Sequence, residues 1–151
     1  MLQTQDPTSP PPCPDRPLPL RGAPPPLPVV ELADADDFRR LAQRHLLRCR
    51  RDGRPLSTLI LQAHADPAVG DAQRQQLLAE CARRLRSRVR STDVVACWHG
   101  THFGVLLPHC EPQHAEAVRL RLLAHAGGPY RVGAQLLALD LHGAAISVAA
   151  P

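Results

Sequence analysis

The chain contains 151 residues, which is enough for one domain and not comfortably for two. Its net charge of +4 comes from an excess of arginine, since the sequence contains no lysine, and this balance permits a phosphate-bearing ligand without requiring one. Aromatic residues make up only 3% of the chain, which argues against a protein that stacks the bases of nucleic acids.

The first 30 residues are rich in proline and differ in composition from the rest of the chain. Proline cannot donate a backbone hydrogen bond, and the apolar residues between these prolines are too scattered to form a buried face. We therefore predict a disordered tail over residues 1–30 and one folded domain over residues 31–151. The tail contains P-x-x-P spacings, such as Pro14 to Pro17, that suit a polyproline-binding partner.

Nothing in the sequence predicts export or membrane insertion. The proline-rich start has no apolar stretch of the kind found in signal peptides, and no apolar run is long enough to span a membrane. The five cysteines include no C-x-x-C pair, so we expect buried thiols in a reducing cytoplasm.

After the tail, apolar periodicity predicts a helix, a strand and a second helix. Acidic residues 31–37 lead into a segment with one apolar face, and Asp52-Gly53 ends that helix. Residues 56–63 form a short apolar run between breakers, as a buried strand does. Residues 71–89 place apolar side chains four positions apart, which predicts the second helix.

The second half begins with a predicted β-hairpin, in which residues 94–98 and 103–107 flank a turn at 99–102. Pro112 suits the first position of a third helix, and the alternating apolar residues of 130–150 predict one or two further strands. Helices mixed with strands that include a hairpin predict an α/β (α+β) fold. Its centre should be a mixed, mainly antiparallel sheet flanked by helices.

Residues 90–108 carry the most specific pattern in the sequence, RSTDVVACWHGTHFGVLLP. This stretch resembles the diguanylate cyclases of the GGDEF family, whose pattern is R-x-x-D, a short strand, G-G-[D/E]-E-F and a second apolar strand that ends in proline. Here the segment from His99 to Phe103, HGTHF, stands in place of GGDEF. The resemblance extends over residues 36–150 and implies a nucleotide-cyclase-like GGDEF fold. It also implies a C-terminal truncation, because the family's last helix would follow Pro151.

The resemblance further implies that the active site has been lost. These cyclases join two GTP molecules with the help of two divalent metals, which are held by carboxylates. Where the family has a carboxylate at the end of its first strand this chain has Gln62, and at the third letter of GGDEF it has Thr101. A neutral amide and a hydroxyl do not replace two anions at a site for a hard cation. We therefore expect a pseudoenzyme that binds no catalytic metal and uses no cofactor.

Other positions that match the family's active site are also altered. His99 replaces the first glycine, where a side chain would crowd the backbone that approaches the nucleotide, and His102 replaces the acidic fourth letter. Gly100 and Phe103 are retained. Asp71, which follows a glycine, matches an aspartate of the family's guanine-reading segment, but the rest of that segment is shortened here.

Arg90 and Asp93 match the R-x-x-D of the family's inhibitory site, where the product cyclic di-GMP binds. An arginine fork donates two hydrogen bonds to the N7 and O6 edge of guanine or pairs with a phosphate, and an aspartate accepts from guanine N1–H and the N2 amine. We expect both side chains on the domain surface, where their substitution hardly alters stability. Arg86 and Arg88 are weaker candidates for the same site. The alternative is an ordinary arginine-rich surface with no ligand.

Histidines and cysteines are frequent between Cys97 and His114, which invites a metal interpretation. Their spacing matches no zinc-binding pattern, and strand alternation would point them in different directions. We expect turn and surface histidines, a buried thiol, and a packing role for Trp98 in the hairpin.

The sequence leaves three functional hypotheses open. The first is an inactive GGDEF-like domain that serves as a cyclic di-GMP receptor in signalling, through Arg90 and Asp93. The second is a module that binds a partner protein and no nucleotide. The third is a cyclase with residual activity. A titration with cyclic di-GMP separates the first from the second, and incubation with GTP tests the third.

Overall fold

The computed structural model describes residues 28–148. Of the predicted tail over residues 1–30, residues 1–27 lie outside this part. The first strand begins at Val30, just before the predicted start of the domain. In chain order the elements are β1 (Val30–Leu32), α1 (Ala35–Arg51), β2 (Leu56–Ala65), α2 (Asp71–Ser87), β3 (Val94–Trp98), β4 (His102–Pro108), α3 (Pro112–Ala126), β5 (Tyr130–Val132), β6 (Gln135–Leu137) and β7 (Leu139–Val148).

The central sheet has five strands in the order β1-β3-β4-β2-β7. Strand β1 runs parallel to β3, and the other neighbouring strands of this sheet are antiparallel. This arrangement confirms the predicted mixed, mainly antiparallel sheet. Strands β5 and β6 form a separate two-stranded sheet.

Two features of the sheet differ from the sequence-based expectation. The sequence does not predict β1, because a strand of three residues with a charged middle residue shows no usable alternation. The region after α3 was expected to hold one or two strands and contains three. Gly133, with a φ of 61°, lies in the turn between β5 and β6 and divides what looks like one alternating run.

The helices cover opposite faces of the sheet. In β2, Leu59, Leu61 and Ala63 belong to the main core, which α2 and α3 share. The alternate residue Ile60 packs against a smaller core, to which α1 contributes Phe38. Because β2 is covered on both faces, it looks like a continuous apolar run in the sequence rather than an alternating one.

Helix α1 begins and ends where the sequence indicates. The side chain of Asp34 caps it by accepting a hydrogen bond from the backbone N–H of Asp37 at 2.9 Å. Gly53 follows the helix with a φ of 65°, a conformation that glycine adopts without strain. Helix α2 ends at Ser87, earlier than predicted. None of the helices in residues 28–148 is long and apolar enough to cross a membrane.

Phe38 anchors α1 on the β3–β4 hairpin. Its ring packs directly on Gly104 of β4, where an added Cβ would lie 2.3 Å from the ring. The same ring stacks on Trp98 at the end of β3, with the ring centroids 4.9 Å apart. This packing fixes β3, whose two ends carry both of the sites that the sequence predicts.

Candidate functional site at the two ends of β3

The turn between β3 and β4 holds the positions that match the family's active site. His102 pairs with Trp98 on one side and with Gln62 on the other, so the three residues form one row across the sheet. The backbone N–H of Ala63 donates a hydrogen bond to the carbonyl of Thr101 at 2.8 Å. The structure therefore brings Gln62 and Thr101 together at one end of the sheet.

Aromatic rings pack at this end of the sheet, where the matched sequence pattern has an acidic residue. The imidazole of His102 stacks on Trp98, with the centroids 5.8 Å apart and an angle of 21° between the planes. His99 meets His102 edge-on at 6.2 Å, and Thr101 Oγ1 lies 3.1 Å from His102 Nδ1. Trp98 is 5% exposed, in line with the packing role expected for it. His102 thus takes part in a ring stack and supplies no carboxylate.

The remaining matched positions add no carboxylate to the turn. Asp71 is the first residue of α2; its side chain is 94% exposed and pairs with Arg74 at 3.3 Å. Phe103 is fully buried in the main core, so it is a packing residue. His99 and Gly100 lie in the turn with φ values of 55° and 71°. This left-handed backbone conformation suits glycine better than histidine, so His99 is strained at its position in the turn.

The histidines and cysteines do not converge on a metal site within residues 28–148, where no group of three or more His, Cys, Asp or Glu side chains could hold an ion. Cys49, Cys81 and Cys110 are buried free thiols, as expected, whereas Cys97 is only partly buried. Burial raises the pKa of Cys81 to about 11 and also raises the pKa of Cys110. The Cys81 and Cys110 thiols therefore stay neutral near pH 7.

The R-x-x-D turn lies at the other end of β3 and is built around a buried carboxylate. Asp93 Oδ2 accepts hydrogen bonds from the backbone N–H of Arg90 at 2.8 Å and from its Nε at 3.3 Å, and Oδ1 accepts from Nη2 at 3.0 Å. Asp93 is only 2% exposed, so the expectation that it lies on the surface is wrong. The physical reason is local, since the carboxylate closes the turn by bonding to a backbone N–H three residues earlier.

Arg90, in contrast, leaves 56% of its side chain exposed. Its Nη2 also donates to the carbonyl of Pro108 at 2.9 Å, so the guanidinium is held from two sides. The hydrogen bonds to Asp93 raise the pKa of Arg90, which keeps its positive charge permanent. A fixed and exposed guanidinium of this kind can bind a phosphate or the edge of a guanine.

Arg86 supports the turn from inside the domain. It is 8% exposed, and it donates to the carbonyl of Asp93 from Nη1 and to the carbonyl of Arg90 from Nη2, both at 2.7 Å. Its burial removes it as a ligand-binding candidate. The sequence does carry a signal of this, because Arg86 continues the row of Leu78 and Ala82 at a spacing of four along α2.

Two further arginines lie beside the turn. Arg121 of α3 donates from Nη2 to the carbonyl of Arg88 at 3.0 Å, and both side chains are exposed. No sequence pattern connects Arg121 with the turn, since only the packing of α3 brings it there. Together with Arg90, these cations make this corner of the domain positively charged.

The two regions are separated by the length of β3. The five residues of this strand span about 17 Å, at roughly 3.3 Å per residue. At one end the chain presents Gln62 and Thr101, which carry no charge. At the other end it presents oriented cations, which suit an anionic ligand.

A mixed sheet between helices, with an R-x-x-D turn that leads into a central β-hairpin, defines a domain of the nucleotide cyclase class. The chain belongs to the GGDEF family, because the family model described as "Diguanylate cyclase, GGDEF domain" matches residues 36–147. This finding confirms the resemblance seen in the sequence and the predicted fold. The domain is therefore related to the diguanylate cyclases and to cyclic di-GMP signalling.

Similar proteins include several from Pseudomonas aeruginosa. The chain is 30% identical over 117 residues to the bifunctional diguanylate cyclase/cyclic di-GMP phosphodiesterase MucR, and the match covers 69% of this chain but only 17% of that protein. The crystal structure of the FimX GGDEF domain superposes with a TM-score of 0.66 at 16% identity, over 76% of this chain and 74% of that one. Diguanylate cyclase SiaD, solved in complex with its activator SiaC, gives a TM-score of 0.61 at 21% identity, over 76% of this chain and 46% of that one. At such identities the two structures show the shared fold alone.

Proposed function

We propose that this chain is a catalytically inactive GGDEF domain that serves as a cyclic di-GMP receptor, with Arg90 as the ligand-binding residue. The observation that carries the proposal is the network around Asp93, which holds an exposed guanidinium in place at one end of β3. The buried thiols suit a reducing compartment and support a cytoplasmic place for this protein.

The inactivity rests on the residues at the hairpin turn. Two divalent metals need several anionic oxygens, and Gln62 and Thr101 supply an amide and a hydroxyl. His102, beside them, is engaged in ring stacking. This arrangement can neither neutralise a triphosphate through metals nor activate a 3′-hydroxyl.

Incubation with GTP tests the inactivity directly. Purified protein with GTP and either magnesium or manganese is expected to yield no cyclic di-GMP above a heat-inactivated control, as measured by chromatography of the nucleotides. Clear turnover would contradict the proposed loss of activity and restore the hypothesis of a residual cyclase.

The roles within the R-x-x-D turn differ from those expected from the sequence. Three hydrogen bonds from Arg90 already occupy the oxygens of Asp93, so we assign Asp93 to positioning and Arg90 to contact with the ligand. The exposed Arg88 and Arg121 raise the local positive potential, which favours a dinucleotide with two phosphates.

A calorimetric titration with cyclic di-GMP tests the receptor proposal. The variant Arg90→Ala removes a bidentate donor, and such a contact contributes about 1–3 kcal/mol. We expect a loss of affinity of about five- to 150-fold. Arg51→Ala is the matched control, because it changes the net charge equally at an exposed position at the end of α1, outside the R-x-x-D turn. Equal weakening by both variants would indicate unspecific attraction to an arginine-rich surface.

A second candidate function is a module that binds a partner protein and no nucleotide. Strand β7 favours it, because this ten-residue strand is the last in the sheet order and leaves an unpaired edge within the described residues. Ile146 on this strand is 57% exposed. If the wild-type protein shows no heat of binding with cyclic di-GMP at high micromolar concentration, this candidate takes the place of the receptor.

A further inference from the structure

Helix α1 carries a basic face that lies outside both ends of β3. Its residues follow one another at about 100° around the helix axis, so Phe38 and Cys49 share one side, and both are buried against the sheet. The opposite side carries a stripe of exposed residues at spacings of three and four, namely Arg40, Arg44, Leu47 and Arg51. The helix thus packs its apolar side on the core and turns a basic side to the solvent.

The positive charge of this face is not balanced by carboxylates. The acidic residues of α1, Asp36 and Asp37, lie in its first turn and are already paired with neighbouring arginines. Asp52, just after the helix, is engaged with His109. Four exposed arginines in the second half of α1 form no ion pair and no side-chain hydrogen bond among residues 28–148, namely Arg44, Arg48, Arg50 and Arg51. Unpaired guanidinium groups at this density create a positive potential around the helix.

The half-buried His45 on the same helix is affected by this potential. Burial lowers the pKa of His45, and the charges of Arg48 and Arg44 lower it further. The arginines therefore disfavour a further positive charge beside them. A partner with many negative charges relieves this repulsion when it lies against the face.

Leu47 adds an apolar contact at the centre of the basic face. Its side chain is 50% exposed. With Leu32 of β1 it lines a shallow groove, which Arg40 and Arg44 line as well. Surfaces that lie against a bilayer combine arginines, which meet the lipid phosphates, with apolar side chains that reach the boundary of the acyl chains. The face therefore suits a partner that offers both phosphate and hydrocarbon.

A bilayer fits this face better than an acidic protein segment does. The face is the convex side of a helix whose backbone groups are bonded within the helix, so it offers no edge for an added strand. The stripe from Arg40 to Arg51 is about 17 Å long, at roughly 1.5 Å per residue. Lipid headgroups move laterally and so adjust to the spacing of the arginines, and each phosphate accepts paired hydrogen bonds from a guanidinium.

We propose that this basic face binds the surface of an anionic membrane, with the phosphates of acidic lipid headgroups against Arg44 and Arg51 and with Leu47 at the boundary of the acyl chains. Several cations that each contribute modestly give reversible attachment and no insertion of the helix. The inference goes beyond the proposed receptor function and does not depend on it, because the R-x-x-D turn contributes no residue to this face.

Sedimentation of the full chain with lipid vesicles tests the proposal. The protein should bind vesicles that contain phosphatidylglycerol and should not bind vesicles of phosphatidylcholine alone. Added salt should release it, because screening shortens the range of the attraction. The double variant Arg44→Gln/Arg51→Gln should bind the anionic vesicles about ten- to thirtyfold more weakly, since each arginine near such a surface contributes about a factor of five. Leu47→Ser leaves the charge unchanged and should weaken binding about three- to tenfold.

The matched control is the double variant Arg83→Gln/Arg131→Gln. It changes the net charge equally at exposed positions on α2 and β5. Its binding should stay within about threefold of the wild type, because charges far from the membrane are largely screened. Equal weakening by the two double variants would show attraction by net charge alone and would overturn the assignment to α1.

Two further outcomes overturn the proposal. The first is absence of binding to the anionic vesicles at low ionic strength. The second is binding to soluble polyglutamate without binding to the vesicles, which would assign the face to acidic protein segments instead of a membrane. Neither result bears on the titration with cyclic di-GMP, so a failure of this inference is distinguishable from a failure of the receptor proposal.

Discussion

The two ends of β3 differ in the forces that hold them. At the hairpin end, packing dominates, because the Trp98 ring stacks with the rings of Phe38 and His102. At the R-x-x-D end, hydrogen bonds dominate, because the buried carboxylate of Asp93 binds Arg90. One end of a single strand thus presents neutral polar side chains and stacked rings, while the other end holds an oriented pair of charges.

Under the proposed loss of activity, this difference illustrates how a domain keeps its fold while its active-site residues change. Where a carboxylate no longer has to hold a metal, an imidazole can stack on a neighbouring ring and stabilise the hairpin instead. The R-x-x-D turn cannot be altered so freely, since removing one partner leaves a buried charge or an unpaired donor. Retention of Arg90 and Asp93 therefore has a structural reason in addition to the proposed ligand, and only binding measurements separate the two.

The largest expected effect is at the hairpin end. Trp98→Ala deletes a large side chain that is 5% exposed and packs against two rings, so we expect a loss of about 3–5 kcal/mol of unfolding free energy. Urea denaturation followed by circular dichroism measures this loss. A change below about 1 kcal/mol, within the range usual for surface substitutions, would show that the ring stack does not hold this end of the strand.

A smaller loss of unfolding free energy is expected at the R-x-x-D end of β3. Asp93→Ala removes the acceptor of three hydrogen bonds from Arg90 and leaves those donors partly buried, which should cost about 1–3 kcal/mol. Its control is Asp71→Ala, at a side chain that is 94% exposed, where a change within about 0.5 kcal/mol is expected. This prediction reverses the sequence-based expectation that substitution of Asp93 hardly alters stability. Equal effects of the two substitutions would return Asp93 to a surface role.

The smallest effect on stability is expected for the proline-rich segment at the start of the chain. Deletion of residues 1–27 should leave the melting temperature almost unchanged, because the proline-rich composition predicts no packed structure there. Differential scanning calorimetry of the full chain and of the deleted form measures it. A fall of several degrees would mean that this segment packs on the domain and contributes to its stability.

Much of the fold could be predicted from the sequence, because its signals are local. The cap at Asp34, the stop at Gly53 and the apolar run of β2 each act within a few residues, and so does the pattern of the hairpin. Strand β1 and the division of the last strands could not be predicted, since short edge strands form only when a neighbour pairs with them.

The candidate site was predictable in its residues but not in their roles. The spacing of Arg90 and Asp93 identifies the turn, yet whether a carboxylate is exposed or buried depends on its packing partners. Arg121 and the Pro108 carbonyl that holds Arg90 belong to elements distant in sequence, and the tertiary fold brings them to this corner. No spacing rule within one segment can reveal them.

The most direct test of the central claim is a calorimetric titration of the wild-type chain with cyclic di-GMP, carried out once with magnesium and once with a chelator. Binding through Arg90 uses no metal, whereas a nucleotide held at the hairpin end of the family's active site depends on divalent cations. The account predicts binding of the same affinity in both titrations. Absence of binding, or binding that requires magnesium, would contradict a receptor site at the R-x-x-D end of β3.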